Sequence, residues 1–124
     1  DAYYKAVNGQ VNDLFYYYRE QAALKARQYQ RALDDIVKAV ELSPKDLTYR
    51  AEHAVVNLRV GRYEESMKIL NEILKDEPKY GEAYRLLGLC QIQLKKTDEA
   101  CGNFNKAKEL GDPNVDELIK KYCK

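Results

Sequence analysis

One histidine and three cysteines are the residues whose side chains could carry catalytic chemistry in this sequence. His53 is the sole candidate base, and a thiolate at Cys90 paired with it would act as a nucleophile. No third group that would orient such a pair is evident, and the sequence holds no GxSxG, HExxH or Gly-rich phosphate loop. A half-buried packing histidine is the preferred interpretation, so we expect a non-enzymatic chain without cofactor or metal. An enzyme using Cys90 and His53 stays as a remote alternative.

The spacing of the cysteines bears on metal binding and cross-linking. Cys90, Cys101 and Cys123 contain no CxxC pair, which disfavours both a structural zinc site and a disulfide framework. We predict that Cys90 and Cys101 are small buried packing residues, as free cysteines usually are. The alternative is a disulfide between these two, which requires a Cα separation under about 7 Å.

Composition limits the classes of partner. A chain of 124 residues with 45% apolar and 33% charged residues is typical of one globular domain. Because 21 Lys and Arg balance 20 Asp and Glu, no strong field favours nucleic acid. No apolar run reaches the roughly 20 residues of a membrane span, so we expect no membrane insertion. The chain begins at Asp1 without an initiator Met, and its compartment stays open: cytoplasmic or, after removal of a signal peptide, periplasmic or secreted.

An internal repeat predicts the helices that would position any site. Pro44 and Pro78 lie 34 residues apart, and segments 28–44, 62–78 and 96–112 align without a gap. Apolar and small residues recur in each segment at spacings of 4 and then 3, which is one face of a helix. These recurring positions are Ala32, Ile36 and Ala39; Ser66, Leu70 and Ile73; and Ala100, Phe104 and Ala107. We expect the polar positions between them, such as Asp35, to be solvated.

A partner helix precedes each of these segments, over residues 13–28, 47–62 and 81–96. Gly61 ends the second partner helix, as a left-handed residue just past a helix does. No strand-like alternation of useful length occurs. The pattern therefore predicts an all-α fold of antiparallel helix pairs joined by short turns.

These residues resemble the tetratricopeptide repeat family. The third copy carries the family's most complete pattern, with Tyr84, Leu87, Gly88, Ala100, Phe104 and Ala107. The resemblance implies a right-handed superhelix of stacked antiparallel helix pairs, with repeats at 13–46, 47–80 and 81–112. The first copy departs from the pattern, because Arg19 and Glu20 stand at its Leu-Gly positions. A carboxylate cannot replace the hydrogen of Gly where two backbones approach, so we expect the first hairpin to be splayed, shifted in register or open at that edge.

The two ends extend the array. Residues 1–12 are interpreted as the tail of a truncated preceding repeat, and residues 113–124 as a capping helix. Asp112 is expected to cap that helix and Pro113 to lie in its first turn. Val115, Leu118, Ile119 and Tyr122 then recur on one helical face, which would cover the open end of the array.

The resemblance also implies a function, because the first helices of such repeats line a concave groove that suits a protein or peptide. The expected groove residues are Leu14, Tyr17, Tyr18, Gln21, Leu24, Lys25, Thr48, Glu52, Val55, Leu58, Arg59, Arg85, Leu86, Leu89 and Ile92. Family members that grip chaperone tails use a carboxylate clamp of Lys, Asn, Asn, Lys and Arg. The corresponding residues here are Tyr17, Gln21, Glu52, Glu82 and Leu86, which disfavours an acidic tail. The alternative function is a structural array segment that self-assembles, for example as a homodimer through Tyr3, Tyr4 and Val7.

Overall fold

The computed structural model describes residues 12–123, and every regular element within that range is an α-helix. The helices are α1 (Asp13–Lys25), α2 (Tyr29–Leu42), α3 (Leu47–Arg59), α4 (Tyr63–Asp76), α5 (Gly81–Gln93), α6 (Thr97–Glu109) and α7 (Asp116–Tyr122). The all-α prediction is therefore confirmed. None of these helices is both long and apolar enough to cross a bilayer. The predicted apolar edge with Tyr3, Tyr4 and Val7 lies outside the described residues.

The chain divides into two compact units, residues 1–60 and 61–124. In the first unit α2 packs against both α1 and α3. Its core is built on the small and branched residues that the repeat pattern places on one face of α2. The buried residues of this cluster are Ala23, Ala32, Leu33, Ile36, Ala39, Tyr49 and Val56. Small side chains at Ala23, Ala32 and Ala39 allow the helices to approach closely.

The second unit contains α4, α5, α6 and α7. One cluster in it, formed by Ala100, Phe104, Ala107 and Val115, is fully buried. Leu118, Ile119 and Tyr122 of α7 pack against this cluster, so the face predicted for the capping helix is the face that packs.

The start of the capping helix was predicted wrongly. The helix begins at Asp116 rather than at Pro113, and no side chain caps it. Asp112 instead accepts hydrogen bonds from Arg85 Nε at 2.8 Å and from the backbone N–H of Asn114 at 2.9 Å. The carboxylate is thus used to bind Arg85 of α5, and the chain makes one further turn at Pro113 and Asn114 before α7 starts.

The same tight turn joins the two helices in all three copies. Arg27, Gly61 and Lys95 are 34 residues apart and have φ angles of 60°, 86° and 62°. The backbone N–H groups of Gln28 and Lys96 reach the carbonyls of Ala23 and Gln91, each at 2.8 Å. The left-handed conformation predicted for Gly61 is therefore present, and it recurs where no glycine stands.

Glu20 does not open the first hairpin, so the expected splayed, shifted or exposed arrangement was wrong. Its side chain is fully buried. The turn at Arg27 has the hydrogen bonds of the turn at Lys95, which shows that the register of α1 and α2 is ordinary. Ile36 stands where the third copy has the larger Phe104, so the first hairpin holds a smaller side chain opposite the glutamate.

Asp35 is buried rather than solvated, which corrects the expectation for that face of α2. Arg19 Nε and Nη2 donate to its two oxygens at 2.9 and 2.8 Å. This bidentate ion pair raises the pKa of the Arg19 guanidinium. Arg19, at the Leu position of the family pattern, thereby joins α1 to α2.

The cysteine predictions were right for Cys90 and wrong for Cys101. Cys90 is free and buried. Cys101 forms a disulfide with Cys123, with Cα atoms 5.8 Å apart, and the alternative bridge between Cys90 and Cys101 does not form. The bridge ties α6 to the residue that follows α7. Sequence spacing missed it because the fold, rather than the chain, brings Cys123 back to α6.

Candidate functional site

One pocket of the first unit is lined by five of the predicted groove residues, and its volume is about 340 Å³. Gln21, Leu24 and Lys25 of α1 form one wall, and Glu52 and Arg59 of α3 form the other. Residues 21 and 25 are one helical turn apart, so they stand above each other on the same face of α1. Four of the five lining residues carry a polar or charged group, and Leu24 is aliphatic.

Asp13 fixes the position of α1 relative to α3 at the starts of these two helices. Ser43 Oγ and Tyr49 Oη both donate hydrogen bonds to Asp13 Oδ2, each at 2.9 Å. Burial alone would raise the pKa of Asp13, but these hydrogen bonds outweigh it and the pKa is lowered. Burial and the contact with Asp13 raise the pKa of the Tyr49 hydroxyl. The starts of α1 and α3 are therefore held together by a charge-assisted pair of hydrogen bonds.

The charges of the pocket are separated along its length. Glu52 and Arg59 are seven residues apart on α3, which corresponds to roughly 10 Å along the helix axis. Lys25 and Arg59 are exposed, and neither forms an ion pair with any residue in the described range. The pocket thus has an acidic end at Glu52 and a basic end at Lys25 and Arg59.

A second carboxyl group lies behind Glu52. Glu20 is fully buried, and neither of its oxygens accepts a hydrogen bond from a described donor. The polar group that its carboxyl meets is the carboxyl of Glu52. Two ionised carboxylates this close would repel each other, and this repulsion favours the protonated form of Glu20. Burial, the contact with Glu52 and the charge of Asp35 raise the pKa of Glu20 from its ordinary 4.5 to about 9.

Tyr17 lies next to this pair of carboxyl groups. Its ring packs against that of Tyr49 with centroids 5.1 Å apart, and it contacts the core of the first unit. Burial and the negative charge of Glu52 raise the pKa of its hydroxyl, while a hydrogen bond to Gln21 acts in the opposite sense. Tyr17 is therefore partly a structural residue, and only part of its ring is available to a guest.

The remaining groove residues of the first unit differ in accessibility. Leu14 and Tyr18 are 42% and 43% exposed, although both are large and partly apolar. Thr48 is exposed, and Val55 and Leu58 are half-buried. These residues lie on the same two helices as the pocket, and their role as groove residues stays a prediction.

The groove residues predicted on α5 are engaged in their own unit. Arg85 donates to Asp112 at 2.8 Å and lies 3.9 Å from Glu82. Leu89 and Ile92 pack against the core around Phe104. Leu86 is only 4% exposed, so it offers little surface to a partner. The accessible candidates are thus concentrated on α1 and α3.

The proposed cysteine nucleophile lacks the features that would activate it. Cys90 is fully buried, and burial raises the pKa of its thiol despite a hydrogen bond with Ser66. A raised pKa lowers the thiolate fraction at neutral pH. His53 is half-buried, as expected for a packing residue, and its backbone carbonyl accepts a hydrogen bond from Asn57 at 3.0 Å. Within residues 12–123 no group of three His, Cys, Asp or Glu residues is placed to hold a metal ion.

Comparison with known proteins defines the class of protein. The tetratricopeptide repeat family matches residues 23–89 and 57–102. These ranges together cover more than half of the chain, and the chain belongs to that family.

Individual relatives agree with this assignment. The small glutamine-rich tetratricopeptide repeat-containing protein 2 of Mycosarcoma maydis is 29% identical over 99 residues, which cover 80% of this chain and 28% of that protein. Heat shock protein STI1 of Saccharomyces cerevisiae is 31% identical over 101 residues, which cover 78% of this chain and 17% of that protein. The chain therefore spans less than a third of the length of these curated relatives.

A solved structure shows the same fold. The first TPR of Spaghetti (RPAP3), bound to HSP90 peptide SRMEEVD, matches with a TM-score of 0.77 and 21% identity. The match covers 90% of this chain and 87% of that chain. At this level of identity the likeness concerns the fold alone.

Sequence reasoning recognised that Glu20 departs from the repeat pattern but missed its place beside the pocket. The signal was present: Glu20 and Glu52 occupy neighbouring first helices, at the eighth and sixth positions of successive repeats. These side chains approach each other in a closed first hairpin, whereas an open one was expected from the sequence.

Proposed function

We propose that the chain is a protein-interaction module that holds a segment of a partner polypeptide against the pocket side of α1 and α3. The observation that carries this proposal is the pocket itself, lined by Gln21, Leu24, Lys25, Glu52 and Arg59. A volume of about 340 Å³ suits one or two side chains of a peptide. Membership of a family in which a neighbour is named for a bound peptide supports the same function.

The charge of the pocket selects the kind of segment. Glu52 stands where the chaperone-tail clamp has an amide, and the buried Glu20 adds a second carboxyl behind it. An acidic C-terminal tail would meet like charge there. The exposed cations Lys25 and Arg59 stand at the other end of the pocket. A segment with both signs of charge therefore fits better than a uniformly acidic one.

Affinity capture with matched variants tests the proposal. Partners are captured from the native source with the wild type, with Lys25→Ala/Arg59→Ala, and with Arg31→Ala, and are identified by mass spectrometry. The first two side chains line the pocket, whereas Arg31 is an exposed cation of α2 outside the pocket lining. We expect the wild type and Arg31→Ala to retain the same partner and the double variant to lose it. All three are exposed, so the circular dichroism of each variant should match the wild type.

The strength of binding is then measured with the purified partner by calorimetry. We expect the double variant to bind about tenfold more weakly, since losing two exposed charge contacts costs roughly 1.4 kcal/mol together. Equal affinity of the double variant and Arg31→Ala would place the partner elsewhere on the chain. A labelled peptide of glutamate and glycine alone, which carries no basic side chain, serves as the opposing probe, and saturable binding of it would contradict the assignment of a mixed-charge segment.

A further inference from the structure

The pair of carboxyl groups at the acidic end of the pocket has no cation of its own among the described residues. Arg19, the basic side chain next to Glu20 in the sequence, is occupied by Asp35 through two hydrogen bonds. Lys25 and Arg59 stand at the opposite end of the pocket. Glu20 is fully buried and neither of its carboxyl oxygens has a hydrogen-bond partner, and the neighbouring Glu52 lines the pocket.

A neutral protein group would not complete this site as well as a cation would. A buried carboxyl group costs free energy unless it finds hydrogen-bond donors or opposite charge. Guanidinium and ammonium groups provide both together, and a guanidinium can donate to two carboxylate oxygens at once. We propose that the pocket binds the basic side chain of an arginine or lysine in the partner segment, with Glu52 as its direct contact and Glu20 as the carboxyl behind it. This inference rests on the proposed function and names the chemistry of its ligand.

The opposite end of the pocket would bind a second side chain of the partner segment. A carboxylate of the same segment would meet Lys25 and Arg59, roughly 10 Å from the basic side chain along α3. An extended chain advances about 3.3 Å per residue, so the basic and acidic residues would be about three positions apart. Ten ångströms is close to the screening length at physiological salt, and the two ends therefore act as separate subsites.

Cation binding at this site is coupled to a proton. The charged and titratable groups that act on Glu20 are Tyr17 of its own helix, Asp35 of α2 and Glu52 of α3. Asp35 is neutralised by Arg19, so the proton on Glu20 is held mainly by burial and by Glu52. A guanidinium on Glu52 removes the repulsion that keeps Glu20 protonated. Binding should release the proton to solvent, and affinity should rise with pH by at most about tenfold per pH unit.

A small cation tests the site without a partner protein. Ethylguanidinium chloride is titrated into ¹³C-labelled protein, with potassium chloride at equal ionic strength as reference, and the side-chain carboxyl signals of the glutamates are followed by NMR. We expect saturable changes at Glu52 and Glu20 with ethylguanidinium alone, and a lower midpoint pH for the titration of Glu20. Equal responses to both salts would overturn the proposal.

Two variants and one control sharpen the result. Glu52→Gln should lose the saturable response, and retention of wild-type binding by this variant would also overturn the proposal. Glu20→Gln keeps a donor facing Glu52 but has no titrating proton, so it should bind the probe without the pH dependence of the wild type. Glu99→Gln, an exposed residue of α6, should behave as the wild type.

Failure of this inference is distinguishable from failure of the proposed function. If ethylguanidinium does not bind while Lys25 and Arg59 are still needed to capture a partner, the interaction module stands and its basic-residue subsite does not. If the probe binds while capture is independent of Lys25 and Arg59, the cation site stands and the module's contact surface lies elsewhere.

Discussion

Gly88 lies directly beneath the ring of Phe104, and a Cβ atom at residue 88 would come within 2.6 Å of Phe104 Cδ1. Phe104 is fully buried between α5 and the elements around it, so the ring has no free direction in which to move. In the first copy Glu20 and Ile36 stand at the positions of Gly88 and Phe104, so a larger residue replaces the glycine where a smaller one replaces the phenylalanine. The sizes of the two residues at these positions therefore vary together from copy to copy.

Gly88→Ala is expected to destabilise the chain by roughly 1–3 kcal/mol, the usual cost of overpacking a core. Urea unfolding followed by circular dichroism measures the change. Gly102→Ala is the matched control, because a Cβ at residue 102 would meet no atom within 4 Å. Gly102 lies inside α6, where alanine is favoured over glycine by about 1 kcal/mol, so the control should become more stable. A Gly88→Ala variant as stable as the wild type would show that Phe104 does not limit this contact.

At two equivalent left-handed turn positions, substitutions in opposite directions should change the free energy of unfolding with opposite signs. Lys95 has a φ of 62°, a conformation that costs a side-chain-bearing residue roughly 1–2 kcal/mol. Lys95→Gly should raise the free energy of unfolding by about 0.5–1 kcal/mol after the greater entropy of glycine is subtracted. Gly61→Ala should lower it by about 1 kcal/mol, since a Cβ there meets no neighbour and the cost is conformational. Equal stability of both variants and the wild type in urea would show that these turns are not strained.

The disulfide of Cys101 and Cys123 should stabilise the end of the second unit. It closes a loop across 22 residues of sequence and carries α7 against the core around Phe104. Loss of such a bridge is expected to cost about 3 kcal/mol. Urea unfolding of the wild type with and without reductant measures the effect, and a Cys101→Ser/Cys123→Ser variant should not respond to reductant. Thiol titration of the unfolded, unreduced protein should find one thiol, and three would contradict the bridge.

Much of the fold could be predicted from the sequence because it depends on periodicity. The 34-residue recurrence places Ala32, Ser66 and Ala100 on equivalent helix faces, and each of them is fully buried. Element ends were less accurate, since each first helix stops three residues early where Arg27, Gly61 and Lys95 turn left-handed. Such a turn is signalled by glycine in only one of the three copies.

The unpredicted contacts join positions that are distant in the sequence. Arg19 and Asp35 form an ion pair, and Cys101 forms a disulfide with Cys123. Both contacts depend on helix packing that no local sequence pattern encodes. The candidate site shows the same division. Its five lining residues follow from the repeat register, whereas the burial of Glu20 behind Glu52 depends on how closely α1 and α2 pack.

Glu20 should make stability depend on pH in the alkaline direction. Its pKa is raised by burial and by Glu52 to about 9 in the folded chain, against 4.5 for the free side chain. Between these two values the folded state holds a proton that the unfolded state has released, so stability falls as pH rises. The contribution is complete below about pH 4.5, decreases by at most about 1.4 kcal/mol per pH unit, and is lost by about pH 9.

Glu20→Gln keeps the shape and a donor for Glu52 but cannot titrate, so its free energy of unfolding should change less with pH over this range. Urea midpoints at several pH values between 5 and 9, with Glu99→Gln as an exposed control, measure the difference. Parallel curves for the wild type and Glu20→Gln would show that Glu20 is ionised in the folded chain.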